Sequence, residues 1–347
     1  MFAFWHEFML STVWKDFVDI HNGLYTALIF IPPLLVIRYL FRQDKHHIAR
    51  KYAIACFLII LFSIGTNGTL DVVDRLTPYV YDPAIHGVEV HTILNLPWLV
   101  KALHFVSVPL YLPLALIYDC LLLLVVIASC AEILHTKTSW KNNLLIRFAV
   151  GGLLSIGLYL AVPAVGPVYY GMGGFPGHMP DVTTLQSATM FFKNQMIHRN
   201  SMPSLHGTWV ILCFLALQKS PFKVRVLGAV YVALTFIFTI GMGYHYLLDW
   251  VVALPLVLFI RALVSDYSWR GIRFASLIFG GVNILVWIGV LRHACLFLND
   301  TGFLNSLIIA TVIVPIYLER RLAGFEDRAS LAPLRHALPA LETITLR

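Results

Sequence analysis

In "GYHYLLDWVV", residues 243–252, His245 and Asp249 stand four apart. On a helix that spacing puts them on one face, where the carboxylate reaches the imidazole. A carboxylate on one ring nitrogen fixes the tautomer and leaves the other nitrogen free to act as nucleophile or base. In "NSMPSLHGTW", residues 200–209, Pro203 suits the first turn of a helix and Ser204 its start. The amides of such a turn form a ready anion site. His206 stands in the same turn, where a histidine beside a bound anion serves as general acid for a departing oxygen. Nucleophile, acid and anion cradle are what phosphoryl transfer needs. Singly, each stretch has a plainer explanation: a structural His–Asp hydrogen bond, or a helix cap whose histidine reaches the membrane surface.

Both stretches open apolar runs, so the elements that position them are membrane spans. The chain has 347 residues, 59% hydrophobic and 12% charged, with mean hydropathy +0.78. One soluble core cannot hide that much apolar surface, and the bilayer must solvate much of it. The expected fold is all-α, a polytopic bundle of about nine transmembrane helices. The windows run roughly 24–41, 53–70, 109–133, 146–162, 204–218, 224–243, 246–264, 274–297 and 303–318. Residues 1–108 should hold an amphipathic N-terminal segment, two spans and an outer loop. Residues 109–264 form the catalytic helical core, 265–320 two further spans, and 321–347 a loosely ordered cytoplasmic tail. Cys56, Cys120, Cys130, Cys213 and Cys295 lie in or near apolar runs without a CxxC pair, and read as packing residues.

The net charge of +7 is read as topology, because basic residues mark cytoplasmic loops. Arg38, Arg42, Lys45, Arg50 and Lys51 follow the first span; Lys137, Lys141 and Arg147 follow the third. Lys219, Lys223 and Arg225, then Arg261, Arg270 and Arg273, continue the alternation. The loop from 71 to 105 is acidic, with Asp71, Asp74, Asp82 and Glu89. The pattern puts the N-terminus outside, the C-terminus inside, and Ser204, His206, His245 and Asp249 near the outer face. With no leader-like basic start, the bundle suits a eukaryotic endomembrane or a bacterial inner membrane, and the latter is the expectation taken here.

PSxH and HxxxD together resemble the membrane-bound type 2 phosphatidic acid phosphatase superfamily. The resemblance implies a lipid phosphotransferase or phosphatase that works through a phosphohistidine, with no metal and no cofactor. It maps the nucleophile to His245, its carboxylate partner to Asp249, the general acid and base to His206, and phosphate binding to Ser204 and the adjoining amides, with Pro203 beside them. Three departures stand out. The KxxxxxxRP motif is missing, and "VPAVGPVYYG", residues 162–171, occupies its place. Phe238 and Thr239 stand where an SR pair is usual, and Leu205 replaces the glycine of PSGH. These departures resemble the branch of inositol phosphorylceramide synthase, which moves a phosphoinositol head group between lipids. That makes membrane lipids the donor and, for a transferase, the acceptor.

Losing two cations leaves the charge of the transferring group to be stabilised. "KNQMIHRN", residues 193–200, offers Lys193, His198 and Arg199 on the same outer loop as substitutes. A diester carries less charge than a monoester and needs fewer cations. Asp119, inside "IYDCLLLL", must face protein or water, because an unpaired carboxylate in a span is costly; it has no assigned role. Two other classes stay open on the residues alone. His206, His245 and Asp249 are enough ligands for a catalytic zinc, and a transporter would also keep polar residues in its spans.

Overall fold

The computed structural model describes residues 34–344 apart from 36, 40, 43–45, 136–141, 172–173, 183–184, 193–196 and 266–270. Most of the window at 24–41, the N-terminal segment before it and Lys193 lie outside the described residues. The elements run α1 (His46–Leu76), β1 (Tyr79–Val80), α2 (Asp82–Val90), α3 (Pro97–Ser107), α4 (Tyr111–Asp119), α5 (Leu121–His135), α6 (Leu144–Ala161) and α7 (Pro167–Tyr170). They continue with β2 (Met190–Phe191), α8 (Leu205–Ala216), α9 (Phe222–Gly241), α10 (Leu247–Val264), α11 (Ile272–Arg292), α12 (Ala294–Phe297) and α13 (Thr301–Ile344). The chain is helical apart from one antiparallel ribbon, Tyr79 against Phe191 and Val80 against Met190.

Among the described residues five helices are long and apolar enough to cross a membrane: α6, α9, α10, α11, and α13 over Thr301–Gly324. These mark the chain as a membrane protein. α3 and α4 meet at 96° and would make a sixth span if counted as one. The described residues thus show fewer spans than the nine expected from hydropathy, with the window at 24–41 mostly outside them. The window at 109–133 is two helices, broken at Cys120 between α4 and α5. The window at 204–218 is a short apolar helix, α8 with a 3₁₀ turn at Leu217–Lys219. The window at 53–70 falls inside α1. α13 continues as helix to Ile344, where a loose tail was expected.

α10 is the central element. It is apolar on every side, which suits a helix surrounded by others, and 72% of its span is buried. It packs on α6, α8, α11 and α13. At Gly280 α11 comes close to α10: a Cβ there would lie 2.8 Å from the Pro255 carbonyl. Three arginines counted as loop charges are instead buried in helices. Arg147 meets Glu132 at 3.2 Å and Arg261 meets Glu319 at 3.2 Å. Arg273 donates to the carbonyl of Ala262 at 2.8 Å. Arg261 and Arg273 stand where α10 ends and α11 begins, far along α10 from His245 and Asp249.

Candidate active site

The site forms where the starts of α8 and α10 meet. The Ser204 amide donates to the Asp249 carbonyl at 3.2 Å. Ser204 caps α8: its Oγ accepts the Gly207 amide at 3.0 Å, and α8 begins at Leu205. Pro203 therefore precedes the cap instead of entering the first turn, and it lines a small cavity together with Leu158, Val162 and Trp287. The amides of Leu205 and His206 donate to no group among the described residues, which leaves the positive end of α8 available to an anion.

His245 precedes α10. Its Nδ1 lies 2.9 Å from the Ser201 carbonyl and 3.2 Å from Asp249 Oδ2. A carbonyl only accepts, so Nδ1 carries the proton and Nε2 keeps its lone pair. Asp249 Oδ2 also accepts the Ser201 hydroxyl at 2.5 Å and the Tyr246 amide at 2.8 Å. The carboxylate that orients the histidine is thus itself oriented.

A second layer fixes the backbone around His245. Asp82 is fully buried and accepts the amides of Val165 and Gly166 at 2.9 and 2.8 Å and the Tyr246 hydroxyl at 3.0 Å. Burial raises its carboxyl to about 6 despite these bonds. Gly166 has φ +93°, and a Cβ there would lie 2.4 Å from the Tyr244 carbonyl, so only glycine fits. Glu89 accepts the Leu248 amide at 2.9 Å in the first turn of α10, and burial pushes its carboxyl up to about 8. Sequence reasoning registered Asp82 and Glu89 only as acidic loop residues and passed over Ser201.

His206 sits in a different setting. Its ring stacks on Tyr118, centroids 3.8 Å apart, and meets Trp209 edge-on at 6.0 Å. Its Nδ1 is 2.8 Å from the Tyr118 hydroxyl. With that hydroxyl donating, Nε2 of the neutral ring carries the proton. His206 and His245 both line one cavity of about 520 Å³, a volume suited to a small-molecule head group. Asn200, Tyr159, Tyr169, Tyr244 and Asp119 line it as well.

The expected cations are placed unequally. His198 lines the cavity, with Nδ1 2.7 Å from the buried Asp74. That hydrogen bond holds its pKa above the ordinary value. Arg199 is buried and does not line the cavity. Its amide donates to Asp74 at 2.9 Å, its guanidinium lies 3.6 Å from the same carboxylate, and the Phe192 carbonyl takes another donor at 3.1 Å. Among the described lining residues there is no lysine and no arginine. Where relatives by resemblance carry an SR pair, Phe238 lines the cavity. Thr239 lies beneath it: its hydroxyl accepts the Trp250 indole at 3.1 Å, and its carbonyl holds the amides of Tyr244 and His245.

His206, His245 and Asp249 do not bring their donor atoms together as a metal-binding trio; among the described residues only Asp71, Asp74 and His198 do, within 4.8 Å. Asp249 instead meets Nδ1 of His245 at 3.2 Å.

The fold is a helical membrane bundle with His206 and His245 on one cavity. Residues 83–263 match the PAP2 superfamily, more than half of the chain, and the chain belongs to that superfamily. Membership points to lipid phosphatase or phosphotransferase chemistry. Neither the curated proteins nor the solved structures give a match to this chain.

Proposed function

We propose that the protein transfers a phosphorylated head group, of the inositol-phosphate type, from one membrane lipid to the hydroxyl of another through a phosphohistidine on His245. The observation that carries this reading is the pair of complementary imidazoles on one cavity, each held at Nδ1 by a different partner. His245 Nε2 forms the N–P bond as the P–O bond to the donor's lipid alcohol breaks. In its imidazolium form, with Nδ1–H donating to the Tyr118 hydroxyl, His206 gives its Nε2 proton to the departing oxygen and is left neutral. Asp249 offsets the positive charge on the phosphorylated imidazole. The acceptor hydroxyl then loses its proton to His206, its oxygen takes the phosphorus, and the N–P bond breaks. No metal enters these steps. The basic loops favour a site on the non-cytoplasmic face of the membrane, taken here as a bacterial inner membrane.

A diester is preferred as donor because the described cavity wall has His198 and the α8 amides for the phosphate, but no lysine or arginine. Water as acceptor would turn the same residues into a lipid phosphate or polyprenyl (pyro)phosphate phosphatase. The test supplies purified protein in mixed micelles with phosphatidylinositol and either ceramide or diacylglycerol, and reads lipid and soluble products by mass spectrometry beside His245→Ala. A new head-group lipid made only by the wild type is expected. Soluble phosphate from phosphatidic acid or a polyprenyl phosphate, with no lipid product, would replace transfer by hydrolysis.

A further inference from the structure

Asn200 lines the cavity together with His198, His206 and His245, and the chemistry above does not use it. It carries the one side-chain amide among the described lining residues. Other polar groups on the wall are engaged: the Tyr118 hydroxyl with His206, the Trp209 indole with the Phe148 carbonyl, and His198 Nδ1 with Asp74. The half-buried Asn200 carboxamide has no hydrogen-bond partner among the described residues. The backbone that carries it is clamped on both sides. Before it, the Arg199 amide donates to Asp74 at 2.9 Å, and the Arg199 guanidinium lies 3.6 Å from the same carboxylate. After it, the Ser201 amide donates to the Ala164 carbonyl at 2.9 Å, its hydroxyl donates to Asp249, and its carbonyl accepts His245 Nδ1 at 2.9 Å. Asn200 thus adjoins the residue that orients the nucleophile, and it stands four residues before Ser204, the cap of α8. A donor fixed in advance meets developing charge without rearrangement.

What such a donor recognises follows from its charge. A carboxamide offers N–H donors and adds no charge. A phosphodiester is a monoanion, whereas a monoester loses a second proton at about pH 6 and is mostly a dianion at neutral pH. With no lysine or arginine among the described lining residues, an uncharged donor satisfies the diester and leaves the second charge of a monoester without a counterpart. Resting on the reading of His245 as the acceptor of phosphorus, we infer that the Asn200 carboxamide donates a hydrogen bond to a non-bridging oxygen of the transferring phosphodiester, and that its neutrality sets the cavity for diesters over monoesters. Asn200 then touches the reacting group from the Ser201 side while the first amides of α8 hold it from the other, and it takes no part in proton transfer.

The test compares wild type, Asn200→Ala, Asn200→Asp and Asn200→Lys in micelles, on phosphatidylinositol as the diester and phosphatidic acid as the monoester. Lipid and soluble products are counted together, so the identity of the acceptor does not matter. A hydrogen bond to a charged group is worth roughly 10- to 100-fold. Asn200→Ala should lower kcat/KM for phosphatidylinositol by about that factor. Asn200→Asp keeps the shape but repels the phosphate, and should lower it further. Asn200→Lys supplies the missing charge, and should raise the ratio of monoester to diester kcat/KM about tenfold or more. A gain on the monoester cannot come from unfolding, and a merely structural role would lower both substrates alike. Equal losses on both substrates in all three variants, or an unchanged kcat/KM for phosphatidylinositol in Asn200→Ala, overturns the inference. A parallel arm reads binding without turnover, by saturation-transfer NMR of dimethyl phosphate against methyl phosphate on the full chain in micelles. Wild type should favour dimethyl phosphate and Asn200→Lys methyl phosphate; the same preference in both sinks the role given to Asn200. If His245→Ala keeps full turnover while that preference still switches, the phosphohistidine reading fails and the Asn200 contact stands.

Discussion

The two walls of the cavity are built from opposite materials. Behind His245 stand Ser201, Asp249, Asp82, Tyr246 and Glu89, a network of buried hydrogen bonds with three carboxyl groups. Around His206 stand Tyr118, Trp209 and Phe148, with Trp209 stacked on Phe148 at 4.2 Å and, among the described residues, no carboxylate hydrogen-bonded to the ring. On the proposed mechanism, the difference matches what each imidazole would have to become. A nucleophile that carries phosphorus turns cationic, and fixed negative charge and a fixed tautomer stabilise that state. A general acid must give its proton away, and an apolar, stacked setting disfavours keeping it. On that reading, one protein obtains two reactivities from one residue type by changing the wall.

The largest expected effects remove the histidines themselves. His245→Ala should lower turnover on the order of 10⁴-fold or more, with no phosphoprotein in a rapid-quench trap. Asp249→Asn keeps the shape but loses the charge, and should cost about 10⁴-fold in kcat. His206→Ala should cost about 10²- to 10⁴-fold on a lipid donor. Its deficit should shrink on a donor with a nitrophenol leaving group, which departs without a proton, whereas that of His245→Ala should not. Equal deficits on both donors would erase the division of labour between the walls.

A smaller effect separates orientation from charge. Ser201→Ala removes one of the three donors to Asp249 Oδ2 and leaves the Tyr246 amide and His245 in place. A loss of about tenfold in kcat with KM unchanged is expected, in line with one hydrogen bond to a charged group. His198→Gln should act on binding alone. The Asp74 hydrogen bond keeps His198 protonated to a higher pH than an ordinary histidine. Its help to an anionic substrate is therefore complete at low pH and is lost as pH rises through that raised pKa. KM of the variant should exceed that of wild type several-fold near pH 6 and converge with it near pH 9. A KM difference independent of pH would leave His198 as mere packing.

How much of this was legible in the sequence depends on range. His206, His245 and Asp249 could be read because each motif is local: three residues in one turn, or four along one face. Ser201 could not be, since its partner is Asp249, 48 residues on, and nothing near "NSMPS" announces that two helix starts will meet. Asp82 works at a separation of more than eighty residues and looked like one of several acidic loop residues. The span count slipped where hydropathy is blind to direction. Residues 109–133 are apolar but for Asp119 and Glu132, yet the chain breaks at Cys120, and it bends by 96° between α3 and α4. Arg147, Arg261 and Arg273 followed the basic pattern, but burial and pairing show that they also hold helices together. Arg199 was expected to face substrate because it lies beside His198; Asp74 takes it inward instead.

The smallest expected effect on turnover is the most telling about the cost of the charged wall. Glu89 accepts the Leu248 amide at the start of α10, and burial, with the charge of Asp249 nearby, holds its carboxyl at about 8 against an ordinary 4.5. The folded chain therefore keeps a proton that the unfolded chain releases, and stability falls as pH rises from about 4.5 towards 8. Asp82 adds a contribution of the same sign between 3.8 and about 6. Glu89→Gln retains an acceptor for the Leu248 amide but cannot ionise. Its melting temperature in micelles should match that of wild type at pH 5 and exceed it at pH 9, with kcat at pH 7 within about twofold. Parallel melting curves across pH would place the cost elsewhere, in Asp249 itself. A variant more stable than wild type and also slower would mean that the second carboxylate helps hold the imidazolium. The wall behind His245 would then trade stability for reactivity, which the apolar wall behind His206 has no need to do.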